Sequence, residues 1–244
     1  LRLPRASWWR IVSIVLLGVP VYNLAFFHGL KTVPTGTAAL IIALNPVFTA
    51  VLARIVLGEE FGRRKAAGLA LALAGVFVVI RYGTEKTVDW PYLSSALVLV
   101  LAPLGWACYS VIGRRLPAAA DAFDTTYALL FVGSLPVLAL ASPSLFRGLA
   151  AHPGALWSAL YLAVPCTLVA YAGWIWALKR LPAGEAAAFV FLNPPLANLW
   201  AWLFEGATLK PPFLLGAAVL LAGVAAIVLP LPRLGRPRAS EAPA

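Results

Sequence analysis

Acidic residues are scarce: nine Asp and Glu stand against nineteen Lys and Arg in 244 residues, and charge of either sign makes up 11% of the chain. A water-soluble domain of this length needs far more charge to cover its surface, so that class is excluded. Histidine occurs twice, at His28 and His152, and cysteine twice, at Cys108 and Cys166. Neither supplies the spacing of a metal site or a disulfide framework, and both cysteines lie in apolar runs as small packing residues. Paired carboxylates at one depth, or a nucleophile beside a base, are also missing, which argues against a membrane-embedded enzyme and implies no cofactor. Methionine is absent altogether, position 1 included. The expectation is that further sequence precedes Leu1.

What is abundant is apolar: 62% of residues are hydrophobic, with a mean hydropathy of +0.89. Eight apolar segments can be drawn, at 8–30, 36–57, 64–82, 92–113, 125–142, 155–178, 184–205 and 212–231. Most approach the ~20 residues that cross ~30 Å of hydrocarbon as a helix. Lipid leaves only helices or closed barrels, and no segment alternates with period two, so the fold class is an all-α integral membrane protein.

The net charge of +10 sits in short clusters at the ends of these segments. That pattern fits membrane orientation and no nucleic-acid partner. If the spans alternate in direction, fourteen of the nineteen basic residues fall on one side, among them Arg54, Arg63, Arg64, Lys65, Arg114, Arg115, Lys179 and Arg180. The other side holds Lys31, Arg81, Lys86, Arg147 and Lys210. The richer side is expected to be cytoplasmic, the C-terminus included. Trp8 and Trp9 on the near side, with Trp90 and Tyr92 on the far side, fit interfacial belts.

Shifting the chain onto itself so that Asn45 meets Asn193 exposes an internal repeat. Leu30-Lys31 then falls on Leu178-Lys179, Pro34 on Pro182, Gly36 on Gly184 and Leu44-Asn45-Pro46 on Leu192-Asn193-Pro194. Gly58 meets Gly206, Gly68 meets Gly216, and Ala74-Gly75-Val76 meets Ala222-Gly223-Val224. Matched spans lie five apart, an odd number, so the two copies should be antiparallel across the membrane. The second copy carries two spans before its matched region. Symmetry therefore expects two more helices upstream and an intact plan of five plus five. The implied division is a partial first repeat at 1–82, a second repeat at 92–232 and a disordered tail at 233–244.

Residues able to carry transport cluster at prolines near the centres of spans. Asn45-Pro46 and Asn193-Pro194 should break their helices at mid-membrane and free the carbonyls of Ile42 and Val190. Exposed amide and carbonyl oxygens at that depth are tolerated in protein or around a polar cavity. They can serve as facing half-sites for a substrate, or as glue between helices. Tyr22 and Asn23 follow Pro20, Tyr171 and Trp174 follow Pro165, and Trp106, Tyr109 and Ser110 share one helical face. Apolar faces with a few polar tips suit a small amphipathic ligand, and they equally suit aromatic packing. Gly68, Ala72, Gly75, Gly216 and Gly223 read as close helix packing. Glu59, Glu60, Glu185 and Glu205 lie near span ends, no carboxylate lies deep in a span, and no coupling ion is identified.

The run Lys31-Thr-Val-Pro34-Thr-Gly36-Thr leading to Leu44-Asn45-Pro46 resembles the EamA-type branch of the drug/metabolite transporter superfamily. So do Leu57-Gly58-Glu59 ahead of the Gly68/Gly75 helix, their second copies, and Trp106-Ala-Cys-Tyr109-Ser. The second copy departs in reading Glu205-Gly206 where the first reads Gly58-Glu59. The resemblance implies export of amino acids or related small metabolites by alternating access through a bacterial inner membrane. Sugars or nucleotide-sugars are the alternative substrates, and a non-transporting truncated protein is the alternative role. The implied partners are a small-molecule substrate and the lipid bilayer, with homodimerisation left open.

Overall fold

The computed structural model describes residues 20–83, 93–115, 122–139 and 141–229. The expected start of the first span at residue 8, the belts at Trp8, Trp9, Trp90 and Tyr92, and the tail at 233–244 lie outside these residues.

The described residues are helical throughout, joined by turns. The order is α1 (Tyr22–Leu30), α2 (Thr35–Ile42), α3 (Asn45–Leu57), α4 (Arg63–Tyr82), α5 (Leu93–Arg114), α6 (Ala122–Ala139), α7 (Pro143–Ala151) and α8 (Pro153–Ala163). A π-helical turn, Val164–Val169, leads into α9 (Ala170–Leu178). Then come α10 (Ala183–Ala188), a 3-10 turn at Phe189–Leu192, α11 (Asn193–Glu205) and α12 (Pro212–Val228). Among the described residues, five helical stretches are long and apolar enough to cross a membrane: Gly36–Leu57, Arg63–Tyr82, Ser94–Arg114, Gly154–Leu178 and Ala183–Glu205. The 17 residues of α12 reach ~26 Å at ~1.5 Å per residue. Side chains facing away from the bundle are apolar: Ile55, Trp157 and Leu214 are more than 70% exposed. Water would penalise such a surface and lipid does not. The chain is a multi-pass membrane protein.

The repeat seen in the sequence reappears in the backbone. Pro34 and Pro182 precede α2 and α10 with φ/ψ of −55°/143° and −53°/141°. Both first helices stop one turn before the Asn-Pro pair, and both second helices begin on it. Gly58 and Gly206 end α3 and α11 at φ 71° and 69°. That left-handed turn lets the N–H groups of Gly58 and Gly206 return to the carbonyls of Ala53 and Ala201, and only glycine adopts it without strain.

Helices α4 and α12 pack as an antiparallel pair along their small residues. A Cβ placed on Gly75 would lie 2.7 Å from the Gly216 carbonyl oxygen, and one on Gly68 would lie 2.9 Å from that of Gly223. Gly68 and Gly75 correspond to Gly216 and Gly223 in the repeat, so each contact maps onto the other. Such self-complementary contacts define a two-fold relation between the copies, and backbone-to-backbone approach is what small residues permit in lipid.

Two elements escaped the sequence reading. Helix α7 occupies the stretch between the fifth and sixth spans, opened by Ser142, whose hydroxyl accepts from the Ser144 N–H at 3.3 Å, and by Pro143. A Ser-Pro start is a helix signal that hydropathy does not register. The sixth span also widens into a π turn at Pro165, where the Thr167 hydroxyl donates to the Leu162 carbonyl at 2.8 Å. Proline has no N–H for the regular ladder, and a wider turn accommodates the loss.

Candidate functional site

The two broken helices place their breaks beside a cavity of about 250 Å³. Its wall comes from Phe26 and Leu30 of α1, Ala38, Ala39 and Ile42 of α2, Ala43, Ile80 of α4, Val190 of the 3-10 turn, and Asn193, Pro194, Ala197 and Asn198 of α11. Leu30 and Ile80 adjoin Lys31 and Arg81, so the cavity runs from mid-membrane toward the Lys31 end. None of these lining residues is charged. The polar side chains among them are Asn193, which is exposed, and Asn198, which is buried and donates from Nδ2 to the Pro194 carbonyl at 2.7 Å. That bond leaves the Asn198 side-chain oxygen free to accept.

The expected pair of equivalent half-sites is unequal in the structure. Asn193 and Pro194 stand on the wall. Asn45 and Pro46 are buried behind it, and the Asn45 side-chain oxygen accepts from the Thr49 hydroxyl at 3.2 Å in its own helix. Nor is the Val190 carbonyl bare, because the 3-10 turn brings it the Asn193 N–H. The shorter i to i+3 bond replaces the one that Pro194 cannot make. Asn198 was missed from the sequence, although an asparagine one turn beyond a mid-membrane proline is a usable signal. His28 is exposed on α1 and does not line the cavity.

Five of the expected aromatic residues do meet. The Trp106 ring lies 5.6 Å from Tyr22, 5.4 Å from Tyr109, 5.1 Å from Tyr171 and 5.5 Å from Trp174, centre to centre. Tyr22 in turn stacks on the cavity residue Phe26 at 5.7 Å. Asn23 lies on the same helix, half-buried. Ser110 ties the group together: its hydroxyl donates to the Trp106 carbonyl at 2.8 Å and accepts from the Trp174 indole N–H at 3.1 Å. Two buried polar atoms, Trp106 Nε1 and the Tyr109 hydroxyl, have no partner among the described residues. The five rings and Ser110 together form one aromatic plug.

Below the plug, toward the arginine-rich end, Tyr109 packs with Ala53, Ile175, Leu178, Ala183 and Ala186. Among the described residues, the space beside the helix breaks is thus open on the Lys31 side of the aromatic group and filled by side chains on the other. Residues 1–81 and 93–229 match the EamA-like transporter family. The chain belongs to that family. Among curated relatives of this EamA-like transporter, a probable terminal-alkyne amino-acid exporter of Streptantibioticus cattleyicolor is 30% identical over 99% of the chain and 80% of its own length. A probable amino-acid metabolite efflux pump of Salmonella typhimurium is 26% identical over 78% of the chain and 66% of its own length. A solved crystal structure superposes with a TM-score of 0.73 at 22% identity, over 92% of this chain and 76% of that one. That likeness speaks to the fold. Membership of the drug/metabolite transporter superfamily follows, and with it a small-molecule substrate.

Proposed function

We propose that this protein exports amino acids or closely related small metabolites across a bacterial inner membrane by alternating access. The cavity carries the reading. At about 250 Å³ it is smaller than the ~300–1,000 Å³ typical of sites for drug-sized ligands. It offers amide groups at Asn193 and Asn198 to the polar end of a ligand and aliphatic walls to the rest. A phosphate-bearing substrate such as a nucleotide-sugar calls for a basic side chain, and the wall has none. The amino-acid exporters among the relatives support the same class.

In this reading residues 1–82 and 92–232 supply the two halves that rock against each other, and the arginine-rich end with the C-terminus faces the cytoplasm. Asn45, Pro46, Pro194 and the aromatic group of Tyr22, Trp106, Tyr109, Tyr171 and Trp174 shape the pathway, with Asn23 beside them. No nucleic acid enters the scheme, and crosslinking in membranes tests for a homodimer.

The test is export from cells expressing the complete reading frame, with amino acids in the medium quantified by mass spectrometry. Asn193→Ala and Asn198→Ala run beside the parent at matched membrane levels. Each should lower export of the affected amino acids by about ten-fold, the weight of one or two polar contacts to substrate. Unchanged export in both variants would remove the asparagines from the site. Export of a different chemical class by the parent would overturn the substrate reading.

A further inference from the structure

At the arginine-rich end the two repeats are fastened to each other. Glu59, just past the Gly58 turn that ends α3, accepts from the N–H of Ala183 through Oε1 at 2.6 Å and from that of Gly184 through Oε2 at 3.1 Å. The Arg114 Nε lies 3.9 Å from the same carboxylate, and Arg114 also donates to the Leu178 carbonyl. Arg115 donates to the Val56 carbonyl, and Lys65 pairs with Glu185 at 3.9 Å. The loop between α3 and α4 in one repeat is thus tied to the first turn of α10 in the other. Directly beneath lie Ala183, Ala186 and the Tyr109 ring of the plug.

The opposite end lacks the device. The repeat carries Glu59 onto Ala207, and carries Ala183 and Gly184 onto Thr35 and Gly36. Position 207 itself offers no carboxylate, and the neighbouring Glu205, on the helix side of Gly206, is exposed; that is the end toward which the cavity runs. An exact two-fold pair would make its two end states equal in energy, and a latch on one end removes that equality.

We propose that Glu59 is the latch of the arginine-rich end. Its bonds to the Ala183 and Gly184 N–H groups hold that end shut, and the alanine at 207 makes the conformer open at the Lys31 end the resting state. The inference rests on the alternating-access reading above, but not on the identity of the substrate.

The test reads accessibility from each side without any substrate. In a background of Cys108→Ala and Cys166→Ala, single cysteines are placed beneath the latch (Ala186→Cys) or on the cavity wall (Ala197→Cys). Ala186 is now buried and Ala197 exposed. Labelling rates with a membrane-impermeant maleimide are compared in oriented membrane vesicles. Glu59→Ala should raise labelling at 186 about ten-fold or more, as expected for losing a charge-assisted hydrogen bond, and should lower labelling at 197. Glu59→Gln keeps one acceptor oxygen and should fall between, which serves if Glu59→Ala does not insert. Ala207→Glu, supplying the missing carboxylate, should shift the two rates in the same reciprocal way with Glu59 intact. A rise at both positions would mean general loosening and would overturn the latch, as would no change at 186. Reciprocal shifts without amino-acid export would sink the substrate reading and leave the latch standing. Export with unmoved labelling would do the reverse.

Discussion

The crossing of α4 and α12 makes a quantitative claim about four glycines. A methyl group on Gly75 would sit 2.7 Å from the Gly216 oxygen, one on Gly216 would sit 2.8 Å from the Val79 nitrogen, and one on Gly223 would sit 2.5 Å from the Ala72 nitrogen. These neighbours are backbone atoms of a helix and cannot swing aside. Accommodation means separating the helices, with an overpacking cost of ~1–3 kcal/mol. Against this, alanine gains ~0.5–1 kcal/mol over glycine within a helix. The net loss for Gly75→Ala or Gly223→Ala is then up to ~2.5 kcal/mol. At ~2–4 °C per kcal/mol for a chain of this size, the melting temperature should fall by up to ~10 °C. Gly173→Ala is the control: nothing lies within 4 Å of its added carbon, so it should melt level with the parent or higher. The double variant Gly75→Ala with Gly216→Ala should lose less than the sum of the singles, because these glycines face each other and the first separation relieves the second. Thermal unfolding in lipid nanodiscs, followed by circular dichroism, measures all four. If Gly75→Ala melts with Gly173→Ala, the helices are not in backbone contact and the two-fold crossing is wrong.

Gly58→Ala and Gly206→Ala should each cost ~1–2 kcal/mol, because both glycines hold positive φ where a Cβ is strained; asparagine at either site should restore part of the loss in the same melting assay. Ser110→Ala should leave the Trp174 N–H without its acceptor, lower stability by ~1–3 kcal/mol and alter Trp174 fluorescence relative to the same change in a Trp174→Phe background. An unchanged melting temperature would show that Ser110 does not tie the plug.

How much was legible beforehand differs by level. Helical spans follow from apolar runs of the right length, because lipid forces each segment to satisfy its own backbone. The repeat is legible because Pro34, Asn45-Pro46, Gly58, Gly68 and Gly75 perform backbone tasks that other residues perform poorly, and so do their counterparts. Helix α7 was not legible to hydropathy, because a helix that does not span need not be uniformly apolar.

The candidate site was legible in part. Asn45 and Asn193 occupy identical places in their repeats, yet one is turned into its own helix by Thr49 and the other stands on the cavity wall. Position 49 of the first copy corresponds to Ala197 of the second, so the local partner exists in one repeat only. Glu59 looked like a water-facing residue at a span end, and only the approach of α10 from the other repeat turns its carboxylate onto two backbone N–H groups. The sequence by itself determined the class, the spans and the duplication, since these depend on the solvent and on local backbone chemistry. Tertiary structure alone decided which residues wall the cavity, where the aromatic rings converge and which end is closed, since these depend on contacts between helices far apart in the chain, 64 positions for the Ser110–Trp174 bond and 124 for the Glu59–Ala183 bond.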